Sequence, residues 1–368
     1  MELFLFENIV HLSILVLLVT LALYLKLLDN TYIVLMYLSC LTPFVFNGVL
    51  ISPEYMPDQF NYLDSLMQFR EGIVEQDTSS TVYYSSLFLS MVPVPFVSNV
   101  IAIGFINKLM FFLLVIFLVR KFQIPNAVGF FLILYPDMVM YTSLALRDTL
   151  IFINMVLGFC FIYKRMYLLG ILVLSFLLLI KFQNFLIMLF LVIGYSVFLK
   201  QGDRVKLSSL FSFWVISVIL FMLFASFVLD DINFYRRAMY FEDGGDPSGY
   251  RDLGGVVDIF HEGTSSAVRF MFSPYIWNAT NAFQLVQATS NILIFLYLIV
   301  FTRKAYKYDK FLVLFWVSFI VFAFTLYGLV VSNDGTLSRY RFPFIALYVI
   351  AVGLGVRDSE RNKQSSII

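Results

Sequence analysis

Charge is scarce in this chain. Only 13% of its 368 residues are Asp, Glu, Lys or Arg, against about a quarter in an ordinary soluble domain. That excludes a soluble globular fold, and it excludes disorder, which needs low hydrophobicity and high charge. Charge of one sign is lacking too. The 25 Lys and Arg balance 24 Asp and Glu to a net +1, so no basic footprint for nucleic acid exists. The two cysteines, Cys40 and Cys160, both lie in apolar runs and speak against a disulfide framework or a thiolate metal site. There is no P-loop, no nucleotide-type Gly motif, no HExxH and no DxD pair. Neither a nucleotide-sugar donor, a cofactor nor a catalytic metal is therefore expected. A cleavable signal peptide is not expected either, because the first apolar run is long and lacks a basic n-region and a small-residue cleavage site.

What the chain has in excess is apolar length. It is 61% hydrophobic, with 43 Phe and 22 Tyr, and its mean hydropathy is +0.87. A helix crossing about 30 Å of hydrocarbon takes roughly 20 apolar residues. Eleven runs fit or approach that length: 9–28, 32–50, 100–119, 127–141, 149–163, 167–180, 185–199, 207–229, 282–302, 311–331 and 342–356. An all-α polytopic membrane protein with about 11 transmembrane helices is expected, a single membrane domain over residues 1–368. With the N-terminus outside, the inner turns and tail collect 15 of the 25 basic residues and 5 of the 24 acids. That bias fits the rule that cytoplasmic turns are basic, and it puts the C-terminus inside. The apolar piece 85–96 is too short to cross and ends in Pro93 and Pro95; a re-entrant or surface segment within a first outer loop, 51–98, is expected. A second large outer loop, 230–281, carries four arginines, His261 and a Gly-rich stretch. Long loops of this kind are usually functional.

Basic residues on the outer side run against the charge bias and so carry information. Arg147 in SLALRDTL, Lys181 in LLIKFQNF, and Arg339 and Arg341 in SNDGTLSRYRFPF are locked between apolar segments, where charge is costly. With Arg251 and Arg269 of the second loop they suit an anionic ligand, because guanidinium groups bind phosphate oxygens in pairs and stay charged when buried. A pyrophosphate leaving group needs such fixed cations. Arg70, Arg236 and Arg237 read more plainly as headgroup or ion-pair partners, and Arg70 is expected to be dispensable. Candidate bases are Asp58 and its neighbour Asp64, Asp148, His261 and Glu262. Asp148 serves equally well as a counter-ion to Arg147. Among outer aromatics, most fit an interfacial belt, but Tyr250, Tyr275 and Trp277 could stack on sugar rings.

The SLALRDTL turn, Lys181 after a span, RFMFSPYIW before the ninth span and NDGTLSRYRFPF into the last one together resemble the Wzy-type O-antigen polymerases. These are GT-C-like membrane glycosyltransferases that join oligosaccharide repeat units. The plan of two large outer loops is similar as well. The resemblance implies undecaprenyl-pyrophosphate-linked oligosaccharides as donor and acceptor, a site on the periplasmic face of a bacterial inner membrane, and a chain-length regulator and a flippase as further partners. PDQFNYLDSL resembles the first outer loop of broader polyprenyl-phosphate-dependent glycosyltransferases, which points to Asp58 as base; the second-loop residues remain the alternative. A ligase or single-sugar transferase uses the same lipid-phosphate logic, and a flippase of the lipid-linked unit is the reading from another class.

The expected topology is checked by single cysteines and an impermeant thiol reagent. Ser79→Cys, Ser248→Cys and Ser332→Cys should react from the periplasm. Asn126→Cys and Ser359→Cys should react only after permeabilisation.

Overall fold

The computed structural model describes residues 2–73, 79–198, 207–242, 246 and 249–365. Ser248, one of the labelling positions above, lies outside them. The chain is all-helical, 82% helix, with no strand among the described residues. It divides into two compact units, 1–189 and 190–368.

The first unit holds α1 (Glu2–Tyr24), α2 (Asn30–Ser39), α3 (Thr42–Phe44), α4 (Asp58–Glu71), α5 (Ser80–Ser90), α6 (Val100–Phe117), α7 (Asn126–Leu134), α8 (Pro136–Tyr141), α9 (Asp148–Tyr163), α10 (Tyr167–Ser175) and α11 (Leu177–Ile180). Helix α12 (Phe182–Phe198) crosses into the second unit, followed by α13 (Leu207–Glu242), α14 (Val256–Phe272), α15 (Ala282–Tyr306), α16 (Lys310–Val330) and α17 (Asp334–Ser365). Six stretches are long and apolar enough to cross a membrane: Phe6–Tyr24, Asn30–Val49, Val100–Phe122, Ala282–Tyr306, Lys310–Val330 and Asp334–Arg361. Four shorter apolar helices accompany them: Asp148–Tyr163, Tyr167–Ile180, Phe182–Ser196 and Ser208–Ile219. Large aliphatic side chains such as Leu17, Leu168 and Val300 stand exposed. A lipid-facing surface accounts for them, so the chain is consistent with a polytopic membrane protein.

Several boundaries differ from the sequence expectation. The run 127–141 is broken because Pro136 forces Tyr135 to an extended ψ of 115°. The run 85–96 is not one segment: residues 85–90 complete the 11-residue helix α5, packed on α4, and the rest is irregular. The second outer loop is largely helical. Helix α13 runs on to Glu242, and α14 turns one apolar face inward with Ile259, Ser266 and Phe270 buried. Arg339 and Arg341 sit within α17 rather than ahead of it, because Asn333 accepts from the Gly335 and Thr336 N–H groups and starts the helix early.

Each unit is built round one buried helix. Almost the whole inner face of α6 is buried, with α1, α3, α4 and α9 against it. In the second unit α16 is packed by α13, α14, α15 and α17. Its crossing with α14 is close because both helices present small residues: a Cβ on Gly328 would overlap the Ser266 carbonyl, and one on Gly263 would meet Thr325 Cγ2 at 2.9 Å. Small residues let membrane helices gain packing that apolar burial alone cannot supply there. Gly328→Leu should therefore destabilise the protein by about 1–3 kcal/mol, read as a lower thermal midpoint in detergent. Val257→Leu, on the exposed face of α14, should change little.

Candidate functional site

The most unusual feature of the first unit is a helix break that is buried. Residues 142–146, between α8 and α9, have at most 1% exposure yet no regular structure. Irregular backbone at membrane depth survives only where protein satisfies its polar groups, and here side chains do so one by one. Asn107 Nδ2 donates to the Leu144 and Leu146 carbonyls at 2.6 and 2.8 Å. Asn47 Nδ2 donates to the Ser143 carbonyl at 2.9 Å. Lys108 Nζ, wholly buried in α6, donates to Thr142 Oγ1 at 2.8 Å and to the Val139 carbonyl at 3.2 Å. Gln59 Oε1 accepts from Ala145 N–H at 2.8 Å. Gly104 makes room: a Cβ there would run into the Ser143 carbonyl oxygen.

This break delivers Arg147 and Asp148 to the N-terminus of α9. Arg147 is half-buried, and its Nη1 has no hydrogen-bond partner, nor has the hydroxyl of Thr149, the second residue of the helix. A guanidinium at a helix N-terminus is an electropositive spot in low dielectric. Asp148 is 2% exposed. Gln59 is the residue after Asp58, so its bond to Ala145 ties the first turn of α4, with exposed Asp58 at its start, to the segment that ends at Arg147. Lys181 separates α11 from α12 in an extended conformation and is 8% exposed. Asp64 is exposed on α4.

The other candidates belong to the second unit. Arg341 is 1% exposed; its Nη1 donates to the carbonyls of Phe270, Met271 and Ser273, and its Nη2 to Asn291 Oδ1 at 2.6 Å. Asn291 Nδ2 adds a bond to the Ser273 carbonyl. Arg341 thus caps the C-terminal end of α14. Arg269 does the same for α16, with Nη2 on the Gly328 and Val331 carbonyls at 2.7 and 2.8 Å. Burial, and then Arg236, push the Arg269 guanidinium below its usual range, while Tyr275, Asp334 and Glu262 oppose them; it remains a cation. Arg339 is half-buried in the second turn of α17, and Arg251 is exposed.

His261 is exposed on α14. Glu262 is held in an ion pair with Arg236 at 2.8 Å, and Arg237 pairs with Asp252 at 2.5 Å. Asn233 pins residues 250–253 to α13: it exchanges two bonds with Leu253, and its carbonyl accepts from the Tyr250 hydroxyl. The Tyr250 ring is flanked by Tyr240, Phe241 and the Arg237 guanidinium at 5.5, 5.9 and 5.7 Å. Burial, then a hydrogen bond with Asp252, raise its phenol above the ordinary value. Tyr275 and Trp277 stack on each other, centroids 4.9 Å apart and planes within 7°. Trp277 is 79% exposed, which leaves its outer face open.

Arg70 needs a correction. It is half-buried rather than a bystander on an open loop; it donates to the Val94 and Val92 carbonyls at 2.7 and 3.1 Å, and burial lowers its guanidinium from the usual range. Residues that the sequence reading passed over are Asn47, Gln59 and Asn107, together with Lys108 as a binding group. Polar residues inside apolar runs were the signal.

No known protein family, no curated protein and no solved structure matches the chain.

The carbonyl-bound arginines should be stability determinants. Arg341→Met and Arg70→Ala each leave buried carbonyls unpaired, at about 1–3 kcal/mol per group. Both should lower the thermal midpoint and the level in the membrane. Arg251→Ala, at an exposed site, should stay within about 0.5 kcal/mol of the parent.

Proposed function

We propose that this chain is a membrane glycosyltransferase of the Wzy polymerase type. It joins undecaprenyl-pyrophosphate-linked oligosaccharide repeat units into O-antigen or a related surface polysaccharide, at the periplasmic face of a bacterial inner membrane. Eleven spans, with the N-terminus outside and the C-terminus inside, belong to the same reading. A hydroxyl of one lipid-linked unit attacks the reducing-end C1 of another lipid-linked chain. Its proton passes to a base, the new glycosidic bond forms, and undecaprenyl pyrophosphate leaves.

The observation that supports this is the polar grip on residues 142–147. It fixes Arg147 at the N-terminus of α9 with Nη1 unspent, and Gln59 joins that segment to the turn that begins with Asp58. A preorganised cation suits loss of an anionic leaving group, and a carboxylate whose neighbour is tied to the same segment suits attack by a hydroxyl. Asp58 is the base this geometry favours, and Asp148 is the counter-ion of the helix start. Arg269 and Arg341 spend donors on main-chain carbonyls, so their part is to hold α14 and α16. A transporter of lipid-linked units is favoured by one feature, the buried intramembrane Lys108 beside a helix break.

Purified protein in liposomes with lipid-linked repeat units decides between them. The polymerase reading expects a ladder of products and release of the lipid pyrophosphate; transfer of units across the bilayer without a ladder means the transporter. Arg147→Ala should slow polymerisation by about 10²–10³-fold at a normal membrane level. Arg147→Lys should be impaired as well, because it lacks the planar fork.

A further inference from the structure

Residues 92–98, which join α5 to α6, are held in a strained form. Phe96 has φ +52°, a conformation that bulky L-residues rarely adopt, and such backbone persists only where its surroundings over-determine it. Two ionisable side chains provide that, and a third stands beside them. Arg70 holds the Val92 and Val94 carbonyls. Glu7 on α1, 3% exposed, accepts from Ser98 N–H at 2.7 Å, Ser98 Oγ at 2.6 Å and Asn99 Nδ2 at 2.8 Å. The third is His11, one helical turn from Glu7 and 1% exposed. Its Nδ1 lies 2.8 Å from the Glu7 carbonyl, which can only accept, so Nδ1 carries the proton of the neutral ring. Nε2 is then a bare lone pair, buried without a partner. The ring lines a small apolar cavity with Ile14, Leu15, Val94, Phe105, Ile106 and Leu109. The Pro95 carbonyl is a backbone acceptor for the ring.

We propose that His11 is a proton-binding site and that proton uptake latches residues 92–98 onto α1. Protonation turns Nε2 into a donor, the Pro95 carbonyl accepts from it, and the Glu7 carboxylate one turn away is the counter-charge. Glu7 from α1 and Arg70 from α4 are the charges that act on the ring. Helix α6 shows it Phe105, Ile106 and Leu109, while its Lys108 directs Nζ to Thr142 and Val139. Helix α2, also packed on α1, bears Tyr37, whose hydroxyl bonds to Thr20 further along α1. The latch is closed on the acid side of the His11 titration and open on the alkaline side. The inference needs neither the glycosyltransferase reading nor an orientation in the membrane.

The test uses the full chain in lipid nanodiscs. His261→Gln leaves His11 as the only imidazole, and nitrogen NMR then reads its tautomer and titration. A spin label on Met91→Cys, an exposed position beside the segment, reports mobility; Cys40 and Cys160 are buried. The expected result is the Nδ1–H tautomer at neutral pH. On acidification the mobile fraction of the label should fall about tenfold or more, the worth of a hydrogen bond to a charged group, with the midpoint of the ring titration. His11→Phe should abolish that response. An Nε2–H tautomer, a ring that does not titrate, a label midpoint unrelated to the ring, or a response that persists in His11→Phe would overturn the proposal. Should His11→Phe fail to fold, the agreement or mismatch of the two midpoints decides.

Discussion

Main-chain carbonyls that are shut away from water are the constraint on which this structure depends. A continuous helix satisfies its own, but a broken one leaves bare acceptors, each costing several kcal/mol in an apolar setting. This chain breaks its helices repeatedly, and at four places a polar side chain from elsewhere takes up the freed carbonyls. Asn47, Asn107 and Lys108 serve residues 142–146. Arg70 serves residues 92–94, Arg269 the end of α16, and Arg341 with Asn291 the end of α14. Glycines and small residues then let the elements approach closely enough for these bonds to form.

Arginine accordingly has two uses here that sequence position alone does not separate. A guanidinium with several carbonyls on it is a fastening: its charge complements the negative end of a helix. A guanidinium at a helix N-terminus lies among positive ends instead. Arg341 is of the first kind and Arg147 of the second. Glu262 and Asp252 are fastenings among the acids: each is paired with an arginine of α13.

The breaks also provide fixed geometry. A side chain at the end of a segment gripped from several directions has little rotational freedom left to lose on binding, which is what a preorganised site requires. The strained stretch around Phe96 follows the same logic with ionisable partners. There the grip can respond to protons, because one of the groups that face it is an imidazole.

Much of the fold was legible beforehand. Apolar run length is a local property, so the all-helical, membrane-spanning class follows from composition, and the long spans 100–119, 282–302 and 311–331 recur almost unchanged as α6, α15 and α16. Pro136 could have been read as a break, since its ring acts on the residue before it. The cluster around Arg147 could not. Asn47 lies 96 residues from Ser143, Gln59 lies 86 from Ala145, and Arg341 lies 70 from Met271. The residue types alone determined that polar groups would be buried in a lipid-compatible body and would need partners. Which carbonyl each donor met, and hence which arginines fasten main-chain carbonyls and which stands at a helix N-terminus, was decided only by tertiary structure, because a hydrogen bond depends on distance in space and not on order along the chain.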